Sequence, residues 1–371
     1  MKIYLQYPWK FPDSPYYKYL IQSPPPEAEY LNVANQKGVI TSKKFFWFSN
    51  FLKRNIRMAT NLFNLAIPNA HLSPRGEYSL IHCAHCLSKN TDKPWVADME
   101  GVWSMGISGM NTTRGRNKVR EILLRKNCKK IMPWSESTKE EILKVFPEIK
   151  DKLEVVYPAV PEIKNLRKLA HKRVSSSKQS NKKLKIIFVA RYFDIKGGRI
   201  ALEVLERLTK KHNIEGIVVS DVPNELKEKY TNIRIIGLIP QKELFSLLAT
   251  ADLFLYPSAI DTFGFSLLEA MAFGLPVITI NTVHTKSRKE IVQNGKTGLI
   301  FDVFEKVKYD KITATEEKII SKLITNAEKL ILNKRLRQKM SANCIVEIRT
   351  GKFSIEKRNR KLSKIYSYAI E

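Results

Sequence analysis

The segment Tyr256-Pro-Ser-Ala-Ile-Asp-Thr-Phe-Gly-Phe-Ser-Leu-Leu-Glu-Ala-Met-Ala-Phe-Gly-Leu-Pro276 carries residue types suited to holding an anion. Its apolar lead-in reads as a strand ending at Pro257-Ser258. A loop containing Gly264 then opens a helix. Ligands of open parallel sheets bind at the carboxyl ends of strands, and a helix N-terminus presents unpaired N–H groups. Phe263, Gly264, Phe265 and Ser266 are the candidate backbone donors. Asp261 lies in the loop and Glu269 in the helix, eight positions later, a little over two helical turns. Both acids can flank one ligand if the loop folds back. Equally, Glu269 can pair within its own helix.

A second segment, Phe188-Val-Ala-Arg-Tyr-Phe-Asp-Ile-Lys-Gly-Gly198, runs a buried strand into Arg191 and opens a helix after Lys196. Arg and Lys at the end of a parallel strand suit a diphosphate. A third, His82-Cys83-Ala84-His85-Cys86, has metal-binding and redox residue types. A structural zinc site needs four ligands, and the other cysteines, Cys128 and Cys344, are single and distant. Strand alternation points His82 and Cys83 to opposite faces. No metal site is expected.

These residues sit in a chain of 371 residues with 64 Lys plus Arg against 36 Asp plus Glu, net +28. The length suggests two or three domains. With 43% apolar residues the chain is not disordered. Four cysteines make no disulfide framework, and no apolar run is long enough for a signal core or a membrane span. The chain therefore reads as cytoplasmic. Its charge fits a polyanionic partner, nucleic acid or an anionic membrane, or a Lys-rich solvated surface. Lys43–Phe48, Phe51–Arg54 and Ile56-Arg57 form a basic, aromatic-rich helix candidate. It suits a membrane interface or a helix covering a sheet.

The positioning elements alternate. Strands are expected at Lys2–Tyr7, Ser79–Cys83, Trp95–Met99, Lys130–Pro133 and Leu153–Tyr157, with helices over Lys118–Asn127 and from Ser137. Residues 164–185 hold nine Lys/Arg and no acid and read as a linker. Beyond it, strands at Leu184–Ala190, Gly216–Ser220, Asn232–Gly237, Leu253–Tyr256 and Pro276–Ile280 alternate with helices at Gly197–Lys211, Asn224–Tyr230, Gln241–Ala249 and Phe265–Phe273. From about Thr313 the chain reads as helical to its end. Unalternated apolar strands separated by helices indicate parallel sheets covered on both faces. The expected class is α/β, with two doubly wound domains.

Together the motifs resemble the retaining glycosyltransferases of family four, of GT-B architecture. Val189–Gly197, Ile233–Pro240, Lys242–Leu244, Ala251–Ser258, Glu290–Gly298 and Phe353–Tyr366 carry the likeness, which covers 185–371 well and 1–160 loosely. The resemblance implies two Rossmann-like domains facing across a cleft. An acceptor domain would span 1–160, a basic linker 161–185 and a donor domain 186–345. A C-terminal helix, 346–371, would cross back to the first domain. It implies transfer of a sugar from a nucleoside-diphosphate sugar to an acceptor hydroxyl with retention, in envelope or lipid-linked glycan synthesis. No cofactor is implied, and the absence of any Asp-x-Asp pair suits metal-independent transfer. By the same resemblance, Arg191 and Lys196 neutralise the diphosphate and stabilise the departing oxygen. Glu269 binds the ribose, and the amides of Phe263–Leu267 hold phosphates and sugar. Asp261 stands where the family has Glu and would touch sugar hydroxyls with one methylene less reach. Glu100 takes the place of a family His as a candidate sugar contact, or else pairs with Arg114 or Arg116. The expected location is the cytoplasm, peripheral on the inner membrane face. The loop Tyr7–Pro15 lacks the family's glycines.

Two other classes are weighed against this. A basic nucleic-acid-binding protein fits the charge but shows no helix-turn-helix, zinc-finger, RRM or KH signature. A non-catalytic GT-B binding protein fits the departures at Asp261 and Glu100. Nicotinamide and ATP chemistry lack their glycine fingerprints.

Overall fold

The computed structural model describes residues 1–7, 15–33, 51–52, 54–55, 58–60, 65–161 and 183–371. The candidate interfacial helix at 43–57 and the linker at 161–185 lie almost wholly outside these residues, as does the loop 8–14. The chain divides into two units, Met1–Pro161 with Lys352–Glu371, and Glu162–Gly351.

The first unit is built on five parallel strands: β1 (Lys2–Gln6), β2 (Glu29–Leu31), β3 (Leu80–Ala84), β4 (Trp95–Met99) and β5 (Cys128–Pro133), in the order β2-β1-β3-β4-β5. Every residue of β3 and β4 is buried, so these strands show no polar alternation. Helices α1 (Pro15–Gln22), α2 (Thr113–Leu124) and α3 (Glu136–Val145) belong to this unit. Thr112 caps α2, accepting from the Gly115 amide (3.1 Å), so the helix begins five residues before the expected Lys118. Ser135, not Ser137, caps α3 by accepting from the Thr138 amide (3.1 Å).

Leu153–Tyr157 is not a strand. A 3-10 turn covers Pro147–Lys152, and Leu153 makes only an isolated bridge to Ile131. The Glu154 and Val156 amides donate to the Ile131 and Pro133 carbonyls (3.1 and 3.0 Å). Pro133 has no N–H with which to continue the ladder.

The second unit holds six parallel strands: β6 (Leu184–Val189), β7 (Ile214–Val219), β8 (Arg234–Ile236), β9 (Leu253–Tyr256), β10 (Val277–Asn281) and β11 (Gly298–Asp302). Their order is β8-β7-β6-β9-β10-β11. Counted within the unit this is 3-2-1-4-5-6, a doubly wound order that reverses between β6 and β9. Helices α4 (Gly198–Lys211), α5 (Asn224–Lys229), α6 (Gln241–Thr250), α7 (Phe265–Ala272) and α8 (Arg288–Ile291) connect the strands. Strand β11 is not among the expected strands; only its first residue, Gly298, falls within a segment that carries the resemblance.

The helical tail consists of three helices, α9 (Ala314–Leu332), α10 (Lys334–Arg349) and α11 (Ile355–Ile370). A capping box of Thr313 and Glu316 starts α9, and Asn333 caps α10. The change of unit falls between Gly351 and Lys352, so α10 stays with the second unit and α11 packs on the first. Lys361 donates to the Val155 carbonyl (2.8 Å), Asn359 to the Pro24 carbonyl (2.9 Å), and the buried Arg358 to the Ser23 carbonyl.

Candidate functional site

Arg191, Lys196 and Asp261 follow β6 and β9, the two strands that flank the reversal in the second sheet. That is where open α/β sheets bind ligands. Lys196 Nζ lies 2.9 Å from Asp261 Oδ1 and donates to the Ile260 carbonyl at 3.0 Å. Arg191 is half-buried just beyond β6.

Backbone chemistry explains how the two loops meet. Gly197 caps α4 with φ +78, in the left-handed region. A Cβ there would stand 2.5 Å from the Pro257 carbonyl oxygen at the end of β9. Only glycine permits that approach. Gly197→Ala is expected to cost about 2 kcal/mol or more, from positive φ and the clash together. It also separates Lys196 from Asp261. Urea unfolding measures the first effect and nucleotide binding the second.

Asp261 is held on both oxygens. Oδ1 takes Lys196 and the Thr262 amide (3.1 Å), and Oδ2 accepts from the Tyr256 hydroxyl (2.9 Å). Arg288 Nη2 stands 3.7 Å from Oδ2. Its guanidinium is fully buried, donates to the Ile280 and Ser258 carbonyls, and lies 5.3 Å from the centre of the Tyr256 ring. Burial lowers the Arg288 pKa, and the Asp261 charge opposes that shift. Burial and the Asp261 charge both raise the Tyr256 pKa. A carboxylate fixed between two cations and a phenol has a set orientation.

Gly264, at φ +99, precedes α7. The Gly264 and Ser266 amides donate to no backbone acceptor among the described residues, whereas the Leu267 amide donates to the Gly264 carbonyl (3.0 Å). The expected run of donors, Phe263–Leu267, therefore loses Leu267 to the helix's own first turn. Phe263 is buried, and Phe265 is half-buried. Glu269 accepts from Gln241 Nε2 of α6 at 3.1 Å. Arg288 and Tyr256 have no site signal of their own in the sequence. A single Arg among 64 basic residues cannot announce itself.

In the first unit Glu100 follows β4. Its Oε1 is 3.6 Å from His85 Nε2. Arg116, one of its two expected partners, donates instead to the Asn111 carbonyl (3.1 Å). His85 has φ +53. Burial pushes its pKa down to about 4. The unfolded chain then protonates near the ordinary value of 6.5 while the folded one resists. Stability is complete above pH 6.5 and falls as pH drops towards 4, by about 3 kcal/mol in total. Denaturation at pH 7 and pH 4.5 should show this loss in the native chain and less of it in His85→Asn, whose side chain tolerates positive φ.

His82 is wholly buried, with Nε2 2.6 Å from Asp98 Oδ2 and Nδ1 2.7 Å from the Tyr366 hydroxyl. All four cysteines are free and buried. Among the described residues no group of three or more His, Cys, Asp or Glu could hold a metal.

Residues 171–343 match the family model described as glycosyl transferases group 1. The fold is GT-B. Anabaena HepE, solved in complex with UDP, superimposes with a TM-score of 0.59 at 13% identity, covering 99% of this chain and 100% of that one. An uncharacterised 41.2 kDa protein in the cps region of Klebsiella pneumoniae is 32% identical over 154 residues, 41% of this chain and 42% of that protein. The O-antigen chain mannosyltransferase B of Escherichia coli is 40% identical over 85 residues, 22% of this chain and 21% of that protein. The chain thus spans less than half the length of these curated relatives. The group 1 segment contains β6 to α9 and, with them, Arg191, Lys196, Asp261 and Glu269.

Proposed function

We propose that the protein is a glycosyltransferase. It moves a sugar from a nucleoside-diphosphate sugar to an acceptor hydroxyl with retention of anomeric configuration. The observation that carries this reading is the meeting of Lys196 with Asp261 at the reversal of the second sheet, beside the Gly264-led start of α7. Lys196 and Arg191 neutralise the diphosphate as the glycosidic bond breaks and stabilise the departing phosphate oxygen, a task for fixed cations. Amides at Gly264 and Ser266 add donors to that anion. Asp261 takes sugar hydroxyls, and Glu269, oriented by Gln241, takes the ribose. Transfer proceeds without a metal.

The match of residues 171–343 to group 1 glycosyl transferases supports the reaction class. Likeness to the O-antigen chain mannosyltransferase supports a glycan acceptor of envelope or lipid-linked type. Among the described residues no helix is long and apolar enough to cross a membrane. The net charge of +28 suits a peripheral place on an anionic inner surface.

A thermal-shift panel of UDP-, GDP-, ADP- and dTDP-sugars without added metal tests the proposal. One nucleotide is expected to raise the melting temperature, and Glu269→Ala to abolish that rise. Stabilisation by none of them, with strong binding of RNA, would leave the charge rather than the fold as the functional clue.

A further inference from the structure

Arg288 is a buried cation that the transfer chemistry above leaves unused. Only 1% of its side chain is exposed. Its guanidinium ties two strand ends together. Nη1 donates to the Ile280 carbonyl of β10 (2.8 Å) and to the Ser258 carbonyl just past β9. The Tyr256 ring, at the end of β9, has its centre 5.3 Å away. Nε and Nη2 have no hydrogen-bond partner. Buried polar atoms in that state are rare, and an arginine is almost never fully buried unless it is paired. The pairing charge is Asp261, whose Oδ2 lies 3.7 Å from Nη2. That separation makes an ion pair without a hydrogen bond.

Asp261 thus stands between two cations of different freedom. Lys196 lies on the open side, with 19% of its side chain exposed, and its flexible four-carbon stem can turn. Arg288 lies on the closed side and is fixed by the carbonyls it binds. A diphosphate that draws Lys196 towards itself leaves the Asp261 carboxylate facing a second anion. Like charges at that range repel, and the repulsion is offset only by a cation that stays behind the acid. Arg288 is placed to do this. The residue type fits as well. The acid is Asp where the resemblance has Glu, so its carboxylate sits one methylene closer to its own backbone. In that seat it is within reach of Arg288 and of the Tyr256 hydroxyl, which donates to Oδ2 at 2.9 Å.

We propose that Arg288 is a positioning residue, which holds the Asp261 carboxylate in place while Lys196 turns to the diphosphate of a nucleotide-sugar. This deepens the transferase reading and rests on it. Arg288 does not itself touch the substrate. Its effect reaches the ligand through Asp261, which takes sugar hydroxyls in that reading. Loss of Arg288 therefore weakens the grip on the sugar and changes the grip on the bare nucleoside diphosphate far less. A residue that only riveted β9 to β10 would act on both ligands alike.

Isothermal titration calorimetry of the full chain tests this with four ligand pairs: UDP-glucose and UDP, GDP-mannose and GDP, ADP-glucose and ADP, dTDP-glucose and dTDP. The quantity read is the ratio of the Kd of the nucleoside diphosphate to that of its sugar. Arg288→Gln keeps a donor for the Ile280 carbonyl but loses the charge. It is expected to lower the ratio about tenfold, the scale of one hydrogen bond to a charged group. Asp261→Asn should lower it as far, and the double variant no further than either single one, because the two residues act as a unit. Arg288→Lys keeps the charge and should stay within about threefold of the native ratio. Should Arg288→Gln not fold, Arg288→Lys carries the test: a lowered ratio that falls again when Asp261→Asn is added overturns the inference. So does an unchanged ratio in Arg288→Gln, an equal loss of affinity for both ligands, or a double variant whose losses multiply. If a pair binds the native chain and the ratio ignores Arg288, the inference alone falls. If none of the four pairs binds the native chain, the transferase reading falls and takes the inference with it.

Discussion

Lys196→Ala is expected to lower the rate of sugar transfer by about 10²–10³-fold, the usual loss when one fixed donor to a developing oxyanion is removed. Hydrolysis of the nucleotide-sugar by water reads the same step when the acceptor is unknown. Folding should change little, by about 1 kcal/mol or less, because the pair with Asp261 is partly solvated. Asp261 keeps Tyr256 and Arg288 as partners. Lys196→Arg preserves charge, but its planar fork cannot reproduce a point contact shared by the Ile260 carbonyl and Asp261. An intermediate rate is expected there. If the alanine variant transfers within about threefold of the native rate, Lys196 merely pins the Asp261 loop, and the charge on the leaving group must be met elsewhere.

The largest effect on stability is expected at Asp98. Its carboxylate is fully buried and accepts from His82 (2.6 Å) and from the Tyr16 hydroxyl (3.2 Å). His82 meets Tyr366 in turn, and Tyr366 meets the Tyr30 hydroxyl at 2.8 Å. One carboxylate thus anchors a chain of buried groups running from α1 through the sheet to α11. Asp98→Ala removes the acceptor of His82 Nε2 and of the Tyr16 hydroxyl, at a cost of about 3–5 kcal/mol. For a unit of this size that is on the order of 10 °C in Tm. Calorimetry should show the loss, and hydrogen exchange should show α11 opening at lower free energy than before. Asp98→Asn keeps an acceptor and the shape, so it should lose less. An alanine variant as stable as the native chain would mean that water replaces the carboxylate and that α11 is held by packing alone.

Much of this protein is legible without coordinates. Trp95–Met99, interrupted only by Asp98, and the unbroken Leu253–Tyr256 are strands with the expected limits, because apolar runs of that length between turn residues have few other uses. Lys196-Gly197-Gly198 and Gly264 mark their turns because the backbone there requires glycine. Leu153–Tyr157 misleads because its apolar content is that of a strand, while the decisive residue, Pro133, lies in the neighbour. The short β2 and the late β11 escape because three to five residues carry little periodicity.

The linear order of residues determined the alternation of strands and helices, the two parallel sheets, and the loops at 191–196 and 261–264. All of these follow from local propensity and from hydrophobic runs within one element. What the tertiary structure decided is who meets whom. Arg288 reaches Asp261 across two strands. His82 meets Tyr366, 284 positions away. Glu100 faces His85 rather than Arg116. Such contacts are set by strand order and by the return of α11 to the first unit. No window along the chain contains that information, because a hydrogen bond depends on distance in space and not on spacing in sequence.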